Sequence, residues 1–309
     1  MKKINLFILI IFFNFNLVFA ETNIIIKFKV ENEIVTNIDL QKEEKYLISL
    51  NKKLANLPNV DLSRLAQKSL LNEKIKKKTL EDYFDLTKDF KTTDKLFVNM
   101  YKNLGFNTED SFNNYLRNQG LDTKFIINKL KIEGLWNKLI YEKFRKQLNI
   151  DKTKIKKEIS ELKDKKANTK EYSISEILFK LEPGERLEEK YKLILSDIKM
   201  NSFETAANIY GLSESSKYGG KVGWVKKFQL VDKIAAKIGN LKIGDISEVF
   251  EFPNGYLIIK LNDIRVVENK INIDKETEER FSAEVDRQLN EMSLIFFNKV
   301  KQKIIISEL

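Results

Sequence analysis

The C-terminal segment Glu276 to Val300 constrains the fold of this chain most, because it is predicted to form one long helix with a broad apolar surface. An isolated helix of this kind would expose its apolar side chains to water, so it has to pack against other elements. A terminal strand at 304–306 is predicted to follow it. The helices predicted near the N-terminus are its natural partner, so both ends of the chain are expected to meet. The apolar surface consists of Phe281, Val285, Leu289, Met292, Leu294, Ile295, Phe296 and Val300.

The N-terminal region is predicted to be a short strand, Ile24 to Val30, followed by a series of helices. Pro58 should end the first helix. Residues 151–170 are mostly Lys, Glu and Asp, and they are predicted to form a charged helix or a solvated connector. The predicted helix starts are at Thr36 or Asn37, Asp61, Thr93 or Asp94, Thr108 and Asp122.

The first twenty residues carry the pattern of a cleavable signal peptide. Lys2 and Lys3 precede an apolar run, and small residues at Val18 and Ala20 precede Glu21. The apolar run is shorter than the roughly 20 residues that a membrane span needs. We therefore expect export to the periplasm, and no stable membrane span after cleavage.

The chain has no cysteine and no histidine, which excludes several classes of chemistry. Disulfides, Ser–His or Cys–His catalysis and zinc sites built on His or Cys are ruled out. No cofactor or metal is expected. The net charge of +10 would suit acidic partners, but a general enrichment in Lys explains it equally well. Export argues against nucleic acid as a partner.

From Glu171 onward the pattern changes to strands and helices mixed. Residues 172–180 alternate as a strand, and two helices follow. Strands at 246–250 and 256–261 flank Pro253-Asn254-Gly255, which is a strong hairpin signal. This order predicts an α+β domain with an antiparallel sheet.

Residues 171–266 resemble the parvulin family of peptidyl-prolyl isomerases, through five segments that occur in the family's order. The flanks at 30–40 and 288–309 are similar to the two ends of SurA-type chaperones, although this chain has room for only one parvulin domain. The five segments are Ser175 to Phe179, Ser202 to Ala207, Gly219 to Trp224, Leu241 to Ser247 and Gly255 to Leu261.

The resemblance implies four parts. These are a signal peptide at 1–20, a mostly helical N-terminal chaperone domain at 21–165, a parvulin-like domain with a four-stranded antiparallel sheet at 171–266, and a C-terminal helix and strand at 267–309. In SurA-type chaperones this last part packs on the N-terminal helices and completes the chaperone module.

The resemblance also places the catalytic positions, and the residues there are substituted. Active parvulins carry His where this chain has Glu176 and Leu257, and Cys or Asp where it has Ser213. The apolar proline pocket of the family falls on three residues that remain apolar. They are Val222, Leu230 and Ile234.

Prolyl isomerisation needs no nucleophile, because it only rotates a bond over a barrier of roughly 18–20 kcal/mol. A catalyst has to bind the twisted amide better than the planar forms. We therefore expect weak or absent activity when the pocket remains but the histidines are missing. Glu176 would be either a desolvated carboxyl with a raised pKa or a strand residue paired with Lys260.

Three functions fit the sequence. The first is a chaperone that binds unfolded outer-membrane proteins and assists their folding and assembly. The second is an active prolyl isomerase acting on exported proteins, and the third is a non-catalytic assembly scaffold. Clients in the first case would lie in a cradle formed by the N-terminal helices and the tail. Candidate lining residues are among Phe97, Met100, Tyr101, Phe112 and Tyr115, although most of these are expected to be ordinary core.

Overall fold

The computed structural model describes residues 23–164, 169–182, 184–253, 255–267 and 272–308. The predicted signal peptide at 1–20 lies outside these residues. The described part combines two antiparallel sheets with ten α-helices, so the predicted α+β class is confirmed. None of the helices in this part is long and apolar enough to cross a bilayer.

The N-terminal region begins with two short strands and continues as five helices. Its elements are β1 (Ile26–Val30), β2 (Glu33–Thr36), α1 (Asn37–Leu50), α2 (Asn59–Glu81), α3 (Thr93–Asn103), α4 (Glu109–Asn118) and α5 (Thr123–Phe144). The side chains of Thr36, Thr108 and Asp122 each accept a hydrogen bond from the first helical turn, as predicted for N-caps. The helix predicted to begin at Asp61 begins two residues earlier, because Pro58 occupies the cap position.

The aromatic residues proposed as a client cradle belong to the core of this region. Phe97, Met100, Tyr101 and Phe112 are buried, and the three aromatic rings among them pack on one another. Tyr115 is half-buried, and its hydroxyl donates to the carbonyl of Ser49 at 3.1 Å. The cradle interpretation of these residues is wrong, because α3, α4 and α5 need their apolar sides to pack together.

The charged segment after α5 forms α6 (Lys152–Asp164). This helix is not simply solvated, because Ile155 and Ile159 are buried against Phe281 of the tail. Lys156 and Lys152 pair with acidic residues of the same tail helix. The predicted charged helix is therefore confirmed, but the expectation that it is only solvated is wrong. Two apolar residues on one side are enough to anchor an otherwise polar helix.

The second half of the chain forms a four-stranded antiparallel sheet with order β4-β3-β6-β5. Its elements are β3 (Thr169–Phe179), α7 (Leu187–Met200), α8 (Phe203–Tyr210), β4 (Lys221–Lys226), α9 (Asp232–Ile238), β5 (Phe250–Phe252) and β6 (Gly255–Val267). Helices α7 and α8 cover one face and α9 covers the other. The predicted hairpin is confirmed, but the strand predicted at 246–250 begins only at Phe250. Before that residue, Ile246 makes only an isolated bridge to Lys260 and no continuous pairing.

The tail returns to the N-terminal region, as predicted. It consists of α10 (Ile273–Lys301) and β7 (Ile306–Glu308). Phe296 of α10 is buried with its ring 5.6 Å from that of Trp136 on α5, and the indole N–H donates to Ser293 at 2.8 Å. Strand β7 extends the small sheet as β2-β1-β7. Helices from both ends of the chain therefore share one core.

Candidate functional site

The candidate site lies on the face of the large sheet that α9 covers. Glu176 on β3 pairs with Ile259 on β6, and Leu178 pairs with Leu257. Because alternate residues of a strand share a face, Glu176 and Leu257 lie on the same face. The structure thus places on one face the two positions at which the resemblance predicts the histidines of active parvulins.

A tight loop between α8 and β4, residues 211–220, brings serine hydroxyls to Glu176. The Ser215 hydroxyl donates to Glu176 Oε1 at 2.9 Å, and the Ser213 and Ser215 hydroxyl oxygens are 2.7 Å apart. The backbone N–H of Glu176 donates to the carbonyl of Gly220 at 2.8 Å, which closes the loop onto β3. Gly220 has φ +77°, and a Cβ there would lie 2.2 Å from the carbonyl oxygen of Glu176, so only glycine fits.

The carboxyl of Glu176 has a raised pKa. Burial raises its pKa above the usual glutamate value, while the hydrogen bonds from Ser215 and Ser213 act in the opposite direction. The predicted pairing with Lys260 is wrong, because the Lys260 ammonium lies 3.6 Å from Glu204 instead. A protonated carboxyl can donate a hydrogen bond to an amide, which an ionised one cannot do.

The predicted apolar pocket is only partly assembled. Leu230 and Leu257 are buried in one cluster, and Ile234 packs against them. Val222 lies on the edge strand β4 and is 43% exposed, so it does not join this cluster. Leu230 also lines a cavity of about 260 Å³ shared with α6 and with Arg287 of α10. Of the predicted pocket residues, Leu230 thus also borders a cavity that the tail helix lines, which the sequence did not indicate.

Two residues of this site were missed by sequence reasoning. Ser215 holds Glu176, and Asn208 on α8 donates to the carbonyls of Ser216 and Lys217 at 2.7 and 3.2 Å. Neither residue stands at a position that the resemblance marks. Asn208 is buried, so its side-chain amide needs hydrogen-bond partners within the protein. Its role in holding the loop can be recognised only once the position of the loop is known.

The loop is also attached to the N-terminal helices. The Asn51 amide, just after α1, donates to Asn208 Oδ1 at 2.7 Å. Lys217 lies 3.1 Å from Glu133 of α5, and Lys76 of α2 lies 2.6 Å from the same carboxylate. The loop, which forms one wall of the candidate site, is thus held by Asn51 after α1 and by the ion pairs of Glu133 on α5. Among the described residues, no group of three or more carboxylates is arranged to hold a metal ion.

Comparison with known proteins matches residues 177–263 to the rotamase family, described as the PPIC-type PPIASE domain. The chaperone SurA of Nitrosococcus oceani is 24% identical over 165 residues, covering 51% of this chain and 39% of that protein. The periplasmic chaperone PpiD of Buchnera aphidicola is 29% identical over 279 residues, covering 88% of this chain and 36% of that protein. The foldase PrsA of Staphylococcus epidermidis is 28% identical over 200 residues, covering 62% of this chain and 54% of that protein.

Among solved structures, a chain from the work on two SurA-like chaperones of Campylobacter jejuni aligns with a TM-score of 0.36 and 16% identity, covering 92% of this chain and 98% of that one. This chain spans less than two fifths of the length of the SurA and PpiD proteins above. The matched segment lies on the sheet and loop that hold Glu176, Ser213 and Leu257. The chain therefore contains a single PPIC-type parvulin domain and resembles the SurA, PpiD and PrsA group of chaperones and foldases.

Proposed function

We propose that this chain is a periplasmic chaperone that binds unfolded outer-membrane and other exported polypeptides and assists their folding and assembly. The observation that carries the proposal is the split helical module, in which α10 from the end of the chain packs on α2 and α5 from its beginning. The parvulin domain is inserted between these two parts. The relatives named chaperone and periplasmic chaperone support the same function.

The proposed location rests on the first twenty residues and on one relative. The Lys2-Lys3 pair, the apolar run and the small residues before Glu21 fit cleavage on export. The name of the PpiD relative places that protein in the periplasm. We propose that the mature chain comprises residues 21–309. It would consist of the helical chaperone domain at 21–165, the parvulin-like domain at 171–266 and the C-terminal helix and strand at 267–309.

The parvulin domain is proposed to have weak or no isomerase activity. Leu257 is buried in the core and offers no polar group to a twisted amide. Glu176 is the remaining polar group, and it already accepts a hydrogen bond from Ser215. Catalysis by preorganised hydrogen-bond donors would then depend on the carboxyl of Glu176 and the hydroxyls of Ser213 and Ser215.

The chaperone function is tested by aggregation of a denatured β-barrel protein on dilution from urea, with and without purified residues 21–309. We expect suppression at near-equimolar amounts, unchanged in the Leu257→Ile variant, which alters only the parvulin core. Aggregation that proceeds equally fast with and without the chain would reject the proposal.

An active isomerase is the second candidate, and the raised pKa of Glu176 favours it. A protonated carboxyl beside an apolar surface could donate to the amide nitrogen as the bond twists. Isomerisation of a proline tetrapeptide separates the candidates. We expect residues 21–309 to accelerate it weakly or not at all. A clear acceleration that Leu230→Ala with Ile234→Ala abolishes, with folding checked by circular dichroism, would favour the enzyme.

A further inference from the structure

A half-open groove of about 770 Å³ lies where the C-terminal ends of α2 and α5 meet one face of α10. We call it the tail groove. Its apolar lining consists of Tyr83, Phe144, Met292, Ile295, Phe296, Val300 and Ile304. The α10 residues recur at the spacing of one helix face, so the groove runs along that helix. It is separate from the parvulin sheet and from the candidate site described above.

The tail groove leaves apolar side chains exposed around a buried aromatic floor. Tyr83 is 49% exposed and Ile295 is 56% exposed, whereas Phe296 is buried and packs on Trp136. Exposed apolar groups around a concavity are typical of a surface that receives an apolar partner. An inserted apolar side chain would remove these groups from water, which is favourable.

The rim of the groove is basic. Four lysines line it, against two carboxylates, and these groups are Lys78, Lys143, Lys299, Lys303, Glu31 and Asp82. Glu31 already accepts a hydrogen bond from the backbone N–H of Ile305 at 2.9 Å. Lys78 pairs with Glu81, while the Lys143 ammonium lies over the Phe296 ring at 5.3 Å. Lys299 and Lys303 are exposed at the end of the tail.

We propose that the tail groove binds an extended segment of an unfolded polypeptide in which an apolar side chain is flanked by carboxylates. The apolar side chain would lie on Phe296 between Tyr83 and Ile295, and the carboxylates would face the lysine rim. This proposal rests on the proposed chaperone function and names the chemistry of its client segment. Charge complementarity of this kind governs capture and the choice of partner more than total affinity.

A second copy of this chain is a poorer occupant. An isologous contact through the groove would bring the lysine rims of both copies together, and like charges in such contacts are unfavourable. Residues 21–309 keep a net charge of +8, since removal of Lys2 and Lys3 leaves 53 basic against 45 acidic residues, and this charge adds to the repulsion between two copies. Unfolded segments rich in Asp and Glu have the complementary sign.

The test uses purified residues 21–309 and three fluorescently labelled peptides with one shared aromatic and aliphatic core. The core is flanked by Glu, by Ser or by Lys. Fluorescence anisotropy should show the Glu-flanked peptide binding most tightly and the Lys-flanked peptide most weakly. The double variant K299E with K303E should weaken binding of the Glu-flanked peptide by about threefold to tenfold, and Ile295→Ser should weaken binding of all three.

Lys124→Glu is the matched control, because Lys124 is an exposed lysine of α5 outside the groove. It should leave the preference for Glu flanks unchanged. The proposal is overturned if K299E with K303E keeps the preference of the unmodified chain, or if the chain prefers Lys flanks. It is also overturned if sedimentation shows a dimer that Ile295→Ser dissociates.

The aggregation assay separates this proposal from the chaperone function. If the chain suppresses aggregation but the groove variants bind all three peptides as the unmodified chain does, clients bind elsewhere and only the groove assignment fails. If the chain suppresses no aggregation, the chaperone function fails, and the peptide preferences still decide whether the groove recognises apolar segments with carboxylates.

Discussion

Glu176 shows at the scale of one residue what burial does to a carboxyl in the parvulin-like domain. It stands on β3 beside a leucine-rich cluster, and its hydrogen-bond partner is a serine hydroxyl rather than a cation. Burial raises the pKa of its carboxyl, because an ionised group is less stable away from water. A carboxyl in such a place either destabilises the fold or serves a function, and substitution distinguishes the two.

Glu176→Gln should stabilise the chain at neutral pH. The folded-state pKa lies above the ordinary value of 4.5, so the fold loses stability as the pH rises from that value through the folded-state pKa. Glutamine keeps the acceptor for Ser215 and removes the charge. The gain in melting temperature should therefore be largest at neutral pH and should vanish below pH 4.5. An equal gain at every pH would show that Glu176 is not perturbed in this way.

The resemblance marked candidate site positions but gave no hydrogen-bond partners for them. Glu176 and Leu257 lie within segments that resemble the parvulin family, and Ser213 lies between two such segments, so the resemblance could mark these positions. Ser215 could not be found this way, because its contact with Glu176 depends on the loop closure at Gly220. The pairing with Lys260 fails because Lys260 stands opposite Ser175, on the other face of the sheet from Glu176, where its ammonium lies 3.6 Å from Glu204 of α8.

Helix α6 shows at the scale of an element why charge composition alone misleads. Its sequence is dominated by Lys and Glu, yet Ile155 and Ile159 lie on one side and are buried against α10. Periodicity within one element cannot reveal a partner more than a hundred residues away. The helix starts at Thr108 and Asp122 were predicted correctly, because an N-cap depends only on its neighbours in sequence.

Ile159→Ala should therefore destabilise the chain by about 2–3 kcal/mol, as expected for a fully buried aliphatic side chain. Urea denaturation followed by circular dichroism measures the change. Lys157→Ala, at an exposed position of the same helix, is the control and should stay within about 0.5 kcal/mol of the unmodified chain. Equal effects of the two substitutions would mean that α6 does not dock on α10.

At the scale of the whole molecule, the parvulin domain is connected to the helical module through the wall of its own site. The carboxylate of Glu133 on α5 forms ion pairs with Lys217 of the loop and with Lys76 of α2. The Lys76 ammonium also lies 3.8 Å from the carboxylate of Glu214. The loop that holds Ser215 therefore contacts both parts of the chain. The sequence could not predict these contacts, because each joins residues from separately recognisable regions.

Glu133→Gln should loosen this contact and make the loop more mobile. The lysines hold the pKa of Glu133 well below its usual range, so its ionised form stabilises the fold above the ordinary value of 4.5, and this stabilisation is lost as the pH falls. We expect a loss of about 1–2 kcal/mol at neutral pH, because the ion pairs are only partly shielded from water.

The measurement for Glu133→Gln is hydrogen exchange of the backbone amides between 211 and 220, which should become faster while the sheet amides of β6 stay protected. Glu142→Gln is the matched control, since Glu142 lies on the same helix in an exposed pair with Lys138 at 3.8 Å. It should change neither exchange nor stability. If Glu133→Gln leaves exchange in the loop unaltered, the Glu133 ion pairs do not restrain the loop, and the helical module contacts the site through other residues such as Asn51. If exchange rises in the loop only, the two parts of the chain are coupled through the residues that position Glu176, and movement of the helical module would change the site.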